Sequence, residues 1–156
     1  MNMVEGWTCS LPNGYMGWLN SEDNLDQIWH EAAPMLQRAI DHNRGEFHLD
    51  DIRTLIEGRL CTLWCIANPK GELVAAVVVE VVNYPRFKVM RILLVGGEES
   101  KSWKDLWPAL EHYARVNGCA HIEAFTRPGM ERLFGLTGMK RVYTVISTPV
   151  SYEELH

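Results

Sequence analysis

Residues 60–95 read LCTLWCIANPKGELVAAVVVEVVNYPRFKVMRILLV. Three apolar runs rich in valine, isoleucine and leucine alternate with NPKG (68–71) and NYPR (83–86). Branched side chains suit a pleated surface, while Asn, Pro and Gly supply the dihedrals of a tight reversal. The pattern predicts strands over 60–67, 72–82 and 87–95, joined as an antiparallel meander. Cys61 and Cys65 fall on one face of the first strand and read as reduced packing residues.

Downstream, Gly96 and Gly97 precede a helix running to about Asn117, with Leu106, Leu110, Tyr113 and Ala114 inward and Gly118 as its stop. Pro108 either kinks this helix or marks a late start at Trp107. CAHIEAFT (119–126) reads as a strand, RPGMERLFGL (127–136) as a short helix, and MKRVYTVIST (139–148) as a final strand. A strand, a helix and a strand predict that 87–95 and 119–126 lie parallel, with a right-handed crossover.

Upstream, Leu25, Ile28, Trp29, Ala32, Leu36 and Ile40 recur at helical spacing behind Glu22, Asp23 and Asp26, and Pro34 is expected to kink that helix. A second helix follows over about 49–57: Asp50 and Asp51 sit in its first turn, Gly58 ends it, and Phe47 with Ile52 forms a hydrophobic staple around His48 as N-cap. Residues 1–20 read as irregular chain with one short strand at about 15–19. The sum is a single α+β domain over 21–150, a mixed and mostly antiparallel sheet with helices on both sides, followed by a tail at 151–156.

The chain has 156 residues, 20 acidic against 15 basic, and a net charge of −5. That balance offers no attraction to a phosphate backbone, so nucleic acid is not an expected partner. No apolar run reaches the roughly 18–20 residues that cross a bilayer, and a cytoplasmic protein is expected rather than a membrane protein. The four cysteines include no CxxC pair and the six histidines no pair at ligand spacing, so no metal is expected.

The element order resembles that of the GNAT superfamily of N-acetyltransferases. ELVAAVVVEVV (72–82) is similar to that family's central strand, ILLVGGEESKS (92–102) to its strand and pyrophosphate loop, and MERLFGLTGMKRV (130–142) to its closing segment. The set also resembles small GNAT-like proteins of tailed bacteriophages. The resemblance implies a CoA thioester, acetyl-CoA, held by Val95, Gly96, Gly97, Lys101 and Ser102. Unpaired amides at a helix start and an open backbone nest both favour an anion, which is the physical sense of such a loop. The family's loop opens with Gln or Arg and spaces its glycines by one residue. Here neither feature is present, and Glu98 and Glu99 bring negative charge to the anion's place.

Transfer of an acyl group to an amine needs a base for the amine and a proton for the leaving thiolate. The resemblance places a carboxylate on the strand read at 87–95, which has none, and a tyrosine at Phe134. Glu80, alone in AAVVVEVV, is the substitute base; the competing reading is a solvated strand glutamate. Tyr84 and Tyr143 are the candidate proton donors, and His112 and His121 are weighed as surface or packing residues. Glu123 is expected beside Arg91 as a cross-strand ion pair. Two functions stay open. One is an acetyl-CoA-dependent acyltransferase acting on a small-molecule or protein amine. The other is a silent GNAT-like part of an assembly, in a phage particle or against a host protein, with Trp7, Trp18, Trp103 and Trp107 as candidate partner-facing aromatics.

Overall fold

The computed structural model describes residues 7–98 and 102–153. Lys101, with Glu99 and Ser100, lies outside the described residues. Six strands form one sheet in sequence order: β1 (Thr8–Ser10), β2 (Met16–Asn20), β3 (Cys61–Ala67), β4 (Leu73–Asn83), β5 (Lys88–Gly97) and β6 (Cys119–Ala124). The pairs are antiparallel up to β5, and β5 runs parallel to β6. The meander and the parallel pair are therefore as the sequence predicts. The turn between β4 and β5 is closed by the Tyr84 amide donating to the Phe87 carbonyl at 2.9 Å, so Asn83 faces Lys88 and the register follows by counting back.

Helices α1 (Leu25–Ile40) and α2 (Leu49–Glu57) cover one face, and α3 (Trp103–Val116) covers the other. A core around Leu36, Ile40, Ile52, Ile56, Leu63 and Val78 lies beneath α1 and α2. A second core joins Trp64, Val77, Ile92, Trp103, Leu106 and Leu110 under α3. Each fully buried aliphatic side chain contributes about 1.5–3 kcal/mol. The start of α2 carries its expected cap: the His48 amide donates to an Asp51 carboxylate oxygen at 2.9 Å, and Phe47 packs on the core that holds Ile52.

Two local expectations change, and the late start at Trp107 is excluded. Residues 8–20 contribute a hairpin, β1 with β2, where the sequence suggests one strand; three- to five-residue strands around Pro12 and Gly14 leave little periodicity to read. Helix α3 starts at Trp103 and continues through Pro108, because a proline at its sixth position loses only one backbone bond while Trp103 and Leu106 bury their side chains. Residues 139–148 form no strand. They follow α4 (Glu131–Gly135) as chain without regular structure and with no pairing among the described residues.

Of the four candidate partner-facing tryptophans, Trp103 is buried, while Trp7, Trp18 and Trp107 are half-buried and pack against the two cores. Trp7 meets Trp64 at 6.1 Å and Tyr113 at 5.3 Å, and Trp103 is fully buried, with Trp107 edge-on at 5.6 Å. Cys9, Cys61, Cys65 and Cys119 are free thiols. Burial pushes Cys65 up to about 12, with Glu31 adding to it, and burial followed by the nearby Glu80 does the same for Cys61. No helix among the described residues is long and apolar enough to cross a membrane.

Candidate active site

Strands β5 and β6 pair only from Lys88 with Cys119 to Ile92 with Ala124. Beyond that point β4 continues to pair with β5 as far as Gly97, while the chain of β6 leaves through Phe125 into a 3-10 turn at Pro128–Met130. Among the described residues no strand covers the outer edge of Leu93–Gly97. Alternate backbone groups of a strand point to either side, so that edge presents unpaired main-chain donors and acceptors. Val95, Gly96 and Gly97 all lie on it.

The rung next to the last carries a charge cluster. Glu80, Arg91 and Glu123 stand opposite one another across β4, β5 and β6. One carboxylate oxygen of Glu123 accepts from Arg91 Nη2 at 2.9 Å and Nε at 3.2 Å, while the other acceptor, Glu80, lies 3.4 Å from Nη1. The Tyr84 hydroxyl completes the set: it accepts from Arg91 at 2.8 Å and donates to Glu123 at 2.9 Å. Phe125 lies under the guanidinium, 4.5 Å from its ring centre. Burial works against the charge on Arg91, but the bond and charge of Glu123, joined by Tyr84, outweigh it and hold its pKa above the ordinary value. Two carboxylates on one guanidinium leave the cluster with an excess negative charge. Glu80 is the less tightly held of the two.

The expected Arg91–Glu123 pair is thus present, and Tyr84 joins it. The reach of Arg91 to Glu80 and the stacking of Phe125 were not read from the sequence. The first was countable from the NYPR turn, since Asn83 opposite Lys88 places Glu80 opposite Arg91. The second had no signal, because Phe125 lies beyond the end of β6.

The glycine pair has a packing explanation. A Cβ on Gly96 would run into the Met35 carbonyl of α1, and one on Gly97 would stand 2.7 Å from the Ala75 Cα, at a φ of 134°. Glu98 is exposed directly after it, and Ser102 directly precedes α3. Phe134 is buried and meets Trp103 edge-on at 5.0 Å, as a core ring. Tyr143 is exposed in the unpaired chain after α4, His112 packs on Trp7 at 5.0 Å and His121 on Phe87 at 5.0 Å. Among the described residues no group of three or more His, Cys, Asp or Glu side chains could hold a metal.

No protein-family description and no curated protein sequence matches the chain. Solved structures do match its shape. An aminoglycoside acetyltransferase from an uncultured soil metagenomic sample superposes with a TM-score of 0.69 at 8% identity, over 91% of this chain and 99% of that one. The aminoglycoside antibiotic 6'-N-acetyltransferase AAC(6')-Ih from Acinetobacter baumannii gives 0.66 at 12% identity, over 90% and 100%. A transcriptional regulator from Bacillus halodurans C-125 gives 0.62 at 19% identity, over 87% and 99%. These likenesses show the fold: a single domain with a six-stranded mixed sheet and four helices, as in the GNAT acetyltransferases.

Proposed function

We propose that the chain is an acyltransferase that accepts an acyl group from a CoA thioester and passes it to an amine. The observation that carries this reading is the parting of β5 and β6 after Ile92 and Ala124, with the Glu80–Arg91–Glu123–Tyr84 cluster one rung before the parting. The thioester, as substrate, supplies the activated carbonyl. The open edge at Val95–Gly97 fits its amide-bearing arm, because that edge offers main-chain bonds and needs no particular side chain. Acetyl-CoA is the natural first substrate to test.

In this reading Glu80 takes the proton from the amine, directly or through water, and Arg91 holds both carboxylates in place. Tyr84 is the hydroxyl nearest the cluster and the candidate to return a proton to the thiolate. Gly96 and Gly97, with Lys101 and Ser102, would meet the phosphates. The bulky, exposed Glu98 weakens that contact, since a carboxylate within about 6 Å of a pyrophosphate costs about 1 kcal/mol in water-like surroundings. The negative excess of the cluster favours a cationic acceptor. The aminoglycoside acetyltransferases of the same fold are consistent with a small polyamine.

A silent assembly part, phage-borne or host-directed, is the second reading, and the burial of Phe134 where the resemblance calls for a tyrosine favours it. Calorimetric titration with acetyl-CoA, followed by release of free CoA across a panel of amines, tests both. Binding with amine-dependent release supports the transferase; no binding at millimolar acetyl-CoA leaves the assembly reading.

A further inference from the structure

We infer that Tyr84, Phe87 and Phe125 seat the acceptor of the proposed transfer and select an amine that carries one positive charge on an aryl-alkyl body; the inference rests on the transferase reading. The corner of the sheet that holds these rings is left open by the helices. The core beneath α1 and α2 reaches β2, β3, β4 and the last part of β5, from Leu93 on, but no described residue of β6. On that same face alternation places Tyr84 with Glu80, Phe87 with Arg91, and Phe125 with Glu123. Their neighbours Val79, Met90, Ile92, Ile122 and Ala124 all turn to the core under α3. Lys88 stands at the other parity, opposite Cys119, which also packs on the core under α3. Arg86 is exposed in the turn, where water and salt screen it.

Three rings and two carboxylates therefore meet at one open corner. Tyr84 is 39% exposed, Phe87 42% and Phe125 68%. Phe87 stands edge-on to Tyr84 at 5.6 Å and to His121 at 5.0 Å, and the Tyr84 hydroxyl reaches Glu123 at 2.9 Å, so the rings run without a break into the charge cluster. Large apolar side chains left in water at one place mark a binding surface, and the polar groups set among them fix what binds. The charge is read by subtraction: Glu80 and Glu123 share Arg91, one negative charge is left over, and one ammonium balances it. A polyamine brings further cations for which this corner has no partner. Arg91 already lies over the Phe125 ring at 4.5 Å, so a ring face here accepts a cation. The ammonium of the acceptor is thus directed to Glu80, the less tightly held carboxylate and the proposed base, while its apolar body lies on Phe87 and Tyr84.

Calorimetric titration of the full chain with CoA, which has no acyl group to transfer, and then with 2-phenylethylamine, propylamine, 2-phenylethanol or spermidine tests this at about 0.15 M salt. 2-Phenylethylamine is expected to bind about tenfold more tightly than propylamine, which lacks the ring, and than 2-phenylethanol, which lacks the charge. Phe87→Leu keeps an apolar side chain at a half-exposed position. It is expected to remove most of the preference for 2-phenylethylamine while leaving propylamine affinity unchanged, a split that a general loss of structure does not give. Glu123→Gln is expected to weaken both amines and spare the alcohol. Equal binding of 2-phenylethylamine and propylamine overturns the inference, as does a preference that survives Phe87→Leu or spermidine binding as tightly as 2-phenylethylamine. With CoA bound and no amine bound, the transferase reading stands and the seat falls, the rings then being covered by other chain. No binding of CoA overturns both.

Discussion

Gly96 lies so close beneath α1 that a Cβ added to it would stand 2.8 Å from the Met35 carbonyl carbon, with the carbonyl oxygen nearer still. The contact is with backbone, so no rotamer change relieves it. Gly96→Ala is expected to cost about 1–3 kcal/mol through overpacking, and Gly97→Ala a similar amount because an L residue is strained at its positive φ. Chemical denaturation without any ligand measures both. Unchanged midpoints would mean that the pair serves binding alone.

Ligand binding is a separate matter. Acetyl-CoA at 100 times its dissociation constant is expected to stabilise the fold by about 2.7 kcal/mol, seen as a rise in Tm. Glu98→Gln removes an exposed charge beside the loop and is expected to tighten binding by up to about fivefold, an effect that fades as salt is added. Isothermal titration at two ionic strengths reads the difference. Equal affinities at low salt would place the phosphates away from Glu98.

Glu80→Gln keeps the shape of the cluster and removes the base. The expected loss in kcat is about 10²–10⁴-fold, with KM for acetyl-CoA little changed. Phe134→Tyr adds a hydroxyl to a buried ring beside Trp103 and is expected to lower stability by about 1–3 kcal/mol with no gain in rate. Steady-state kinetics with thermal melts separates the two. A Glu80→Gln enzyme of full activity would move the base elsewhere.

The thiols give a pH signature. Cys65 is held near 12, above the ordinary 9.0, first by burial and then by Glu31. A raised folded pKa means that its stabilising effect is complete below pH 9 and is lost as pH climbs toward 12. The slope is about 1.4 kcal/mol per pH unit for one such thiol. Cys65→Ala is expected to flatten the decline in Tm between pH 9 and 11, whatever its effect at pH 7. At neutral pH both Cys61 and Cys65 are expected to react with thiol reagents far more slowly than Cys119, which is only half-buried.

The meander was legible because valine-rich runs between proline-containing turns admit few alternatives, and the parallel pair because a helix separates its strands. The cluster around Arg91 was half legible: charges standing alone in apolar strands announce a partner, but only the turn register tells which one. The last strand was misread because the pattern of apolar residues shows that a segment could pair, not that it does. The hairpin at 8–20 was too short for any period to show.

Strand β5 changes phase at Leu93. Val78 faces Leu94 and Val79 faces Ile92, so Leu93 has no counterpart on β4. Leu93 and Leu94 both turn toward the core under α1 and α2, whereas Ile92 before them and Val95 after them turn toward α3. With strict alternation, the residue brought beneath Met35 would be Val95, and an isopropyl group would meet a backbone that tolerates no side chain at all. One supernumerary residue therefore decides which position must be glycine, and it does so one step past the rung where β6 turns away. The RILLVGG run conceals this: its parity flips halfway along, and no composition rule records the flip.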